Sequence, residues 1–300
     1  MRIIFCDSGF DPKEIDYMYV EEYNSAKKEN ISISLISFEE LKRDNFKSSI
    51  KRVKESEIEE MGIYRGWMLK PNQYEKLYEE LLTKNIRLIN NPQEYKFCHY
   101  LPQWYESLKS FTPKTTYKEL NEEFDINKYQ QELNEFEDKP IIVKDYVKSQ
   151  KHYWNEACYI PNPRDKEKTK RVIEKFIELQ GEDINEGLVF REYVELEKLT
   201  NHSISGMPLT KEYRVFVLRG ELISTYNYWD EGDYEGVIPK FEQFEGLIKQ
   251  IRSKFYTIDI ARKKNGEWII MELGDGQVSG LPENANKEEF YKEIKRIACA

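Results

Sequence analysis

Short apolar runs separated by charge-rich stretches organise residues 1–110. Arg2–Cys6, Ile31–Ile36, Met61–Trp67 and Ile86–Ile89 read as strands. Asp11–Asn30 and Pro71–Lys84 read as helices, the second with proline in its first turn, where a missing N–H costs nothing. This βαβ rhythm predicts a small, mostly parallel sheet. No Gly-x-Gly-x-x-Gly follows the first strand, so the dinucleotide fingerprint is missing. From Phe111 the texture changes. Pro140–Val147 reads as a strand, Leu188–Glu197 as a strand or linker, and Lys211–Leu218 with Glu221–Tyr226 as a hairpin around Arg219-Gly220. Asp165–Gln180 is a charged helix stopped by Gly181, and Gln243–Lys254 is another helix. The expected fold class is α/β over residues 1–110, then α+β with antiparallel sheets over residues 111–300.

The last hairpin carries candidate chemistry. Tyr256–Arg262 and Glu267–Leu273 flank Asn265-Gly266, a strong signal for a two-residue type I′ turn. In that register Lys264 faces Glu267, and counting back sets Asp259 opposite Glu272, with Cβ atoms roughly 4.5–5.5 Å apart. A three-residue loop would break this pairing. Ile258, Ile260, Ile269, Met271 and Leu273 alternate onto the other face, the expected core side. Like charges directly opposite each other need a cation between them, and two carboxylates aimed at one point suit a hard divalent ion. Asp275 follows as a candidate third ligand. The alternative is a solvated acidic face neutralised by lysines.

Composition narrows the class. The chain has 300 residues, 39% hydrophobic and 14% aromatic, enough for a sizeable core. A net charge of −9 argues against a nucleic-acid or membrane-surface partner. The opening MRIIFCDSG reads as a strand rather than a signal peptide, and no apolar run approaches the ~18–20 residues of a membrane span. Cys6, Cys98, Cys158 and Cys299 lack metal-ligand spacing and read as reduced thiols of a cytoplasmic protein.

Five segments in order, KPIIVKDYVKS (139–149), LVFREYVELE (188–197), KEYRVFVLRGEL (211–222), YTIDIA (256–261) and IIMELGDGQVSGL (269–281), carry a resemblance. The chain resembles the ATP-grasp superfamily of carboxylate–amine ligases, and within it the small bacterial and phage-associated clade named for one arginine and two lysines. The resemblance implies a pre-ATP-grasp domain at 1–110 on the substrate side. An ATP-grasp domain would follow at 111–300, with a lid subdomain at about 111–192 and a metal-binding subdomain at about 193–300.

The resemblance also implies roles. Lys144 and Lys96 match the family's phosphate lysines. Glu192, Tyr193 and Val194 match the adenine linker, and Glu197 or Glu195 the ribose acid; Arg191 sits where many members carry an acid. Arg214 matches the arginine holding the transferred phosphoryl group, a task suited to a planar guanidinium. Arg65 resembles the clade's distinctive arginine, for substrate or phosphate contact. Asp259 and Glu272 match the Mg²⁺ ligands. The usual third ligand, an asparagine two residues after the glutamate, is Gly274 here, which makes Asp275 the replacement candidate. The phosphate lid lacks glycine, leaving Lys148, Ser149 and Lys151 as side-chain contacts and His152 as a lid candidate, while His99 and His202 read as structural.

The implied activity is ATP- and Mg²⁺-dependent ligation through an acyl-phosphate. The carboxylate and amine would be small molecules or peptides. The alternatives are a phosphotransferase using the same site and a non-catalytic nucleotide-binding module. Oligomeric state is not legible.

Overall fold

A computed structural model describes residues 1–121, 123–201, 203, 208–239, 241–248 and 250–298, with the side chains at 242, 243 and 245 also left out. His202 and Cys299 lie outside the described residues. Strands β1 (Arg2–Cys6), β2 (Ser32–Ile36), β3 (Glu60–Arg65) and β4 (Ile86–Leu88) form a parallel sheet in the order β2-β1-β3-β4. Helices Val20–Lys28 and Pro71–Leu82 supply crossovers. The first is shorter than expected. Asp16 accepts from the Met18 amide and caps a 3₁₀ turn at Tyr17–Tyr19, so the regular helix starts only after it.

A second, antiparallel sheet contains β5 (Thr115–Glu119), β6 (Ile141–Asp145), β7 (Tyr159–Ile160) and β8 (Gly187–Glu192), ordered β5-β8-β6-β7. Helix Lys166–Gln180 packs on it through Val172, Ile173 and Phe176, closing a core with Ile141, Val143, Leu188 and Phe190. After a small hairpin of β9 (Lys198–Asn201) and β10 (Pro208–Thr210), a third sheet holds β11 (Glu212–Leu218), β12 (Glu221–Asn227), β13 (Phe255–Arg262) and β14 (Trp268–Asp275). Its order is β12-β11-β13-β14, all antiparallel. The expected Gln243–Lys254 helix is only a 3₁₀ turn at Phe241–Phe244 followed by Glu245–Ile248.

The first and third sheets share one apolar layer. Ile3, Phe5 and Ile63 pack with Phe216, Leu218 and Phe255, and Phe290, Tyr291 and Ile294 of helix Lys287–Ala298 complete it. The second sheet keeps a core of its own. Cys6, Cys98 and Cys158 are free and buried. Among the described residues, no helix is long and apolar enough to cross a membrane.

The last hairpin departs from the expected turn. Lys263 and Glu267 close a three-residue loop, with Gly266 at φ +86° and Asn265 not at positive φ. That is the three-residue hairpin with a left-handed final residue, not type I′. It sets Arg262 against Trp268, Ala261 against Ile269 and Ile260 against Ile270. A bulge then leaves Met271 without a cross-strand partner, and Asp259 pairs with Glu272 after all. The slip moves Ile270, not Ile269 or Met271, into the core with Ile258, Ile260 and Leu273.

Candidate active site

Antiparallel register lines up Arg214 on β11, Asp259 on β13 and Glu272 on β14 as successive cross-strand neighbours. Arg214 grips Asp259 with both forks, Nε to Oδ1 at 2.8 Å and Nη2 to Oδ2 at 2.7 Å. Its Nη1 donates to the Gly280 carbonyl at 3.1 Å, and the guanidinium lies 4.8 Å from the Tyr228 ring centre. From the facing sheet, Lys144 on β6 donates to Glu272 Oε1 at 3.0 Å. The result is a row of four charges, cation–anion–anion–cation, with the cations at its ends, between the second and third sheets. Strand pleating explains it: the β6 ammonium is 8% exposed and projects at the sheet opposite.

Glu272 stays ionised. Burial works against its charge, but Lys144 and Lys151 outweigh it and hold the carboxyl at about 2. Its side chain remains 42% exposed, and among the described residues only Oε1 is hydrogen-bonded. Burial opposes the charge of Arg214, yet Asp259 raises its affinity for the proton. Lys151 is an exposed residue whose pKa is raised, a desolvation cost being outweighed by the charges of Tyr228, Glu212, Glu272 and Asp259. Glu212 shares the Arg214 face; burial raises its pKa despite Lys151, and it accepts from Thr210 Oγ1 and Trp229 Nε1.

The glycine-free stretch read as a phosphate lid opens with a turn organised around Asp145. This buried carboxylate accepts from five groups: the Val147 and Lys148 amides, Gln180 Nε2, and the Asn185 amide and Nδ2. Such side-chain anchoring builds a tight turn without glycine. Lys148 and His152 are exposed there. The Tyr193 N–H goes to Pro140 O, whereas the Val194 N–H has no backbone partner among the described residues. Tyr193 meets Trp154 and Tyr159 edge-on at 5.9 and 5.2 Å. Glu192 reaches Lys139 at 3.4 Å and Glu195 reaches Lys264 at 3.1 Å. Glu197 is held by Lys211 and Arg262, each at 3.0 Å.

Two expected site residues, Arg65 and Asp275, are elsewhere, and a third, Lys96, is held by a carboxylate. Arg65 is fully buried, so it cannot touch substrate; it forks onto Glu22 and donates to the carbonyls of Gly276, Gln277 and Ser279. Lys96 pairs with Glu186 at 2.7 Å, above the Tyr100 ring, rather than with the acid pair. Asp275 is also fully buried, on the opposite face of β14 from Glu272, because residues three apart on a strand point to opposite sides. Its oxygens are taken by Asn90 Nδ2 at 2.6 Å and by the Gln277 amide at 2.9 Å, so it is not a third ligand. Nor can position 274 host one: a Cβ there would lie 2.6 Å from Thr257 Oγ1 and 2.7 Å from Ser279 Oγ. Among the described residues, no group of three or more His, Cys, Asp or Glu side chains is arranged to hold a metal.

Asp275 supports a pH prediction. Burial raises its carboxyl to about 7, against the pull of Asn90 and Gln277. A raised folded value means the stabilising contribution is complete below the unfolded pKa and is lost as pH rises through about 7. Asp275→Asn, which cannot ionise, should therefore gain stability relative to wild type as pH rises from about 4 to about 7, by no more than about 1.4 kcal/mol per pH unit. Urea unfolding of both proteins across that range measures the gap, and a pH-independent gap refutes the assignment.

The pair Asp259/Glu272 fits Mg²⁺, which takes one or two carboxylates and completes its shell with water and substrate phosphates. A hard-oxygen donor set in which Glu272 Oε2 accepts no hydrogen bond among the described residues, flanked by Lys144 and Arg214 for phosphate charge, meets that requirement without a third side chain.

A search of curated proteins returns no match. Solved structures do match in fold. D-cycloserine synthetase DcsG aligns over 99% of both chains at 11% identity, TM-score 0.60. D-alanine–D-alanine ligase from Bacillus anthracis, complexed with ATP, aligns over 100% of this chain and 97% of its own at 14% identity, TM-score 0.61. ATP-grasp ligase PsnB, complexed with minimal precursor, Mg and ADP, aligns over 98% and 96% at 9% identity, TM-score 0.58. The sequence profile of the ATP-grasp domain, R2K clade family 3, matches residues 132–294, more than half the chain and all four members of the charged row. The chain belongs to the ATP-grasp family, in family 3 of the R2K clade.

Proposed function

We propose that this chain is an ATP- and Mg²⁺-dependent ligase that joins a substrate carboxylate to an amine and releases ADP and phosphate. The observation that carries the reading is the Lys144–Glu272 and Asp259–Arg214 row on one cleft. The fold shared with proteins seen with ATP, or with Mg and ADP, supports it. Lys144 would bind phosphate, and Arg214 would hold the transferring phosphoryl group. Glu272 and Asp259 would hold Mg²⁺, which when bound neutralises phosphate charge and polarises the γ-phosphoryl group. The substrate carboxylate oxygen attacks the γ-phosphorus and ADP leaves, giving an acyl-phosphate. The amine nitrogen then attacks the acyl carbon, phosphate leaves, and the amine loses a proton. The protein's part is positioning and charge neutralisation, with no covalent attachment to a side chain. The Val194 N–H, beside Tyr193 and without a backbone partner among the described residues, is offered to the adenine edge. Residues 1–110 would select the carboxylate, with 111–192 as lid and 193–300 as the metal-binding subdomain. The substrates would be small molecules or peptides.

Hydroxylamine trapping tests the reading. With ATP, Mg²⁺ and pooled amino acids, dipeptides and hydroxy acids, a ligase forms a hydroxamate together with ADP. ADP formation with a phosphorylated hydroxyl and no hydroxamate would make the protein a phosphotransferase. Nucleotide binding without turnover in every pool would make it a binding module.

A further inference from the structure

The bulge on β14 is what keeps the acid pair facing. With a three-residue loop alone, Asp259 would fall opposite Met271, and Glu272 would turn to the other side of the sheet. The extra residue, Met271, has no cross-strand partner. Its carbonyl is instead taken by Arg191 Nη1 at 2.5 Å. Arg191 Nη2 donates to Ile270 O at 3.3 Å and to Thr112 Oγ1 at 2.5 Å, and Thr112 Oγ1 in turn donates to Ile270 O at 2.9 Å.

Arg191 is not part of the third sheet. It sits on β8, between Thr115 of β5 and Ile142 of β6, and reaches across to β14. The guanidinium is buried, no carboxylate among the described residues pairs with it, and its Nε has no partner among them. Burial lowers its pKa to about 10, partly offset by the field of Glu272. A buried cation without a counter-ion is costly, so its retention needs a reason. A rigid fork of donors serving two adjacent carbonyls supplies one, and lysine cannot copy it.

We infer that Arg191 is a positioning residue that pins the Ile270–Met271 bulge and thereby sets the Asp259–Glu272 register, tying metal binding to the seating of the second sheet on the third. This rests on the reading of the acid pair as the Mg²⁺ site. Arg191 hydrogen-bonds Met271 O, Ile270 O and Thr112 Oγ1 rather than Asp259 or Glu272, so it acts through the strand that carries Glu272. Removing it frees the Met271 carbonyl and lets the ladder slide toward the register its loop prefers.

The test uses the full chain as wild type, Arg191→Met and Arg191→Lys. Free Mn²⁺ is followed by EPR during titration with a saturating non-hydrolysable ATP analogue, and the analogue's affinity is measured separately in EDTA. Arg191→Met should bind Mn²⁺ about 10–100-fold more weakly, the usual loss when an outer partner of a metal ligand is removed, with affinity in EDTA unchanged. Arg191→Lys should fall between. Wild-type Mn²⁺ affinity in Arg191→Met, or an equal loss in EDTA, overturns the inference and leaves the nucleotide reading intact. If wild type itself binds no Mn²⁺ with the analogue, both fail. Should Arg191→Met not fold, Thr112→Val removes only the hydroxyl between Arg191 and Ile270. It should then weaken Mn²⁺ several-fold, and undiminished affinity there overturns the inference.

Discussion

Glu272→Gln is expected to slow ADP formation by roughly 10²–10³-fold, the scale of losing one preorganised electrostatic contact in a cleft. The substitution keeps the shape and removes the charge. Asp259 alone would leave the metal with one carboxylate instead of two, and Arg214 already shares that carboxylate's oxygens. Lys144 also loses its one carboxylate partner among the described residues, so its ammonium should drift from its place on the row. The affinity for nucleotide in EDTA should change little, which separates this result from unfolding. The pH dependence follows from the depressed carboxyl. A group held at about 2 contributes stability that is present above its unfolded value and is lost as pH falls through about 2. Around neutrality the Lys144–Glu272 pair is therefore fully formed, and the rate loss in Glu272→Gln should not depend on pH there. The assay is ADP release from whichever carboxylate pool supports wild-type turnover. A variant as fast as wild type would remove Glu272 from the chemistry.

The acid pair was legible because strand parity and a turn signal place residues on faces without knowledge of the rest of the chain. Its register came out right although the turn did not. The loop has three residues, and the bulge at Met271 cancels the slip. Alternation cannot reveal that bulge, since Ile269, Ile270 and Met271 are all apolar and satisfy either face. Asp275 was misplaced for a reason the sequence did contain. Extending the strand two residues beyond Leu273 puts Asp275 on the opposite face from Glu272. Gly274 carried a second clue, since a missing side chain often marks close packing, here against Thr257 and Ser279. Arg191 registered only as a departure from the family pattern. Its carbonyl partners lie 80 and 79 residues away, beyond any local rule. Lys96 likewise looked free because Glu186, 90 residues on, is its partner only in three dimensions. Glu212 was legible beside Arg214, since two residues apart on one strand they share a face.

Arg65→Met is expected to destabilise the protein by about 3–5 kcal/mol, the cost of stranding one member of a buried ion pair. Arg65 and Glu22 have side-chain exposures of 1% and 7%. The guanidinium makes five hydrogen bonds: two to Glu22 at 2.9 Å each, and three to the carbonyls of Gly276, Gln277 and Ser279 at 2.7, 3.2 and 2.9 Å. Tyr291 donates to the same Glu22 carboxylate at 2.7 Å. Methionine fills similar space but leaves a buried carboxylate and three carbonyls without their donor. Those carbonyls belong to the segment that leads to Gly280, which accepts from Arg214. Loss of Arg65 should therefore loosen the end of the charged row as well as the joint between the first and third sheets. Substrate contact predicts the reverse pattern, near-normal stability with lost turnover. A second variant separates ion-pair stranding from poor packing. Arg65→Met combined with Glu22→Leu removes both charges, and replacing a whole buried pair by apolar side chains is often neutral. The double variant should recover much of the loss, leaving Tyr291 and the three carbonyls as the remaining deficit. Urea unfolding of the four proteins in the cycle measures the coupling. A single-variant loss below about 1 kcal/mol, in the range of an exposed pair, would refute the buried brace and return Arg65 to the list of substrate contacts.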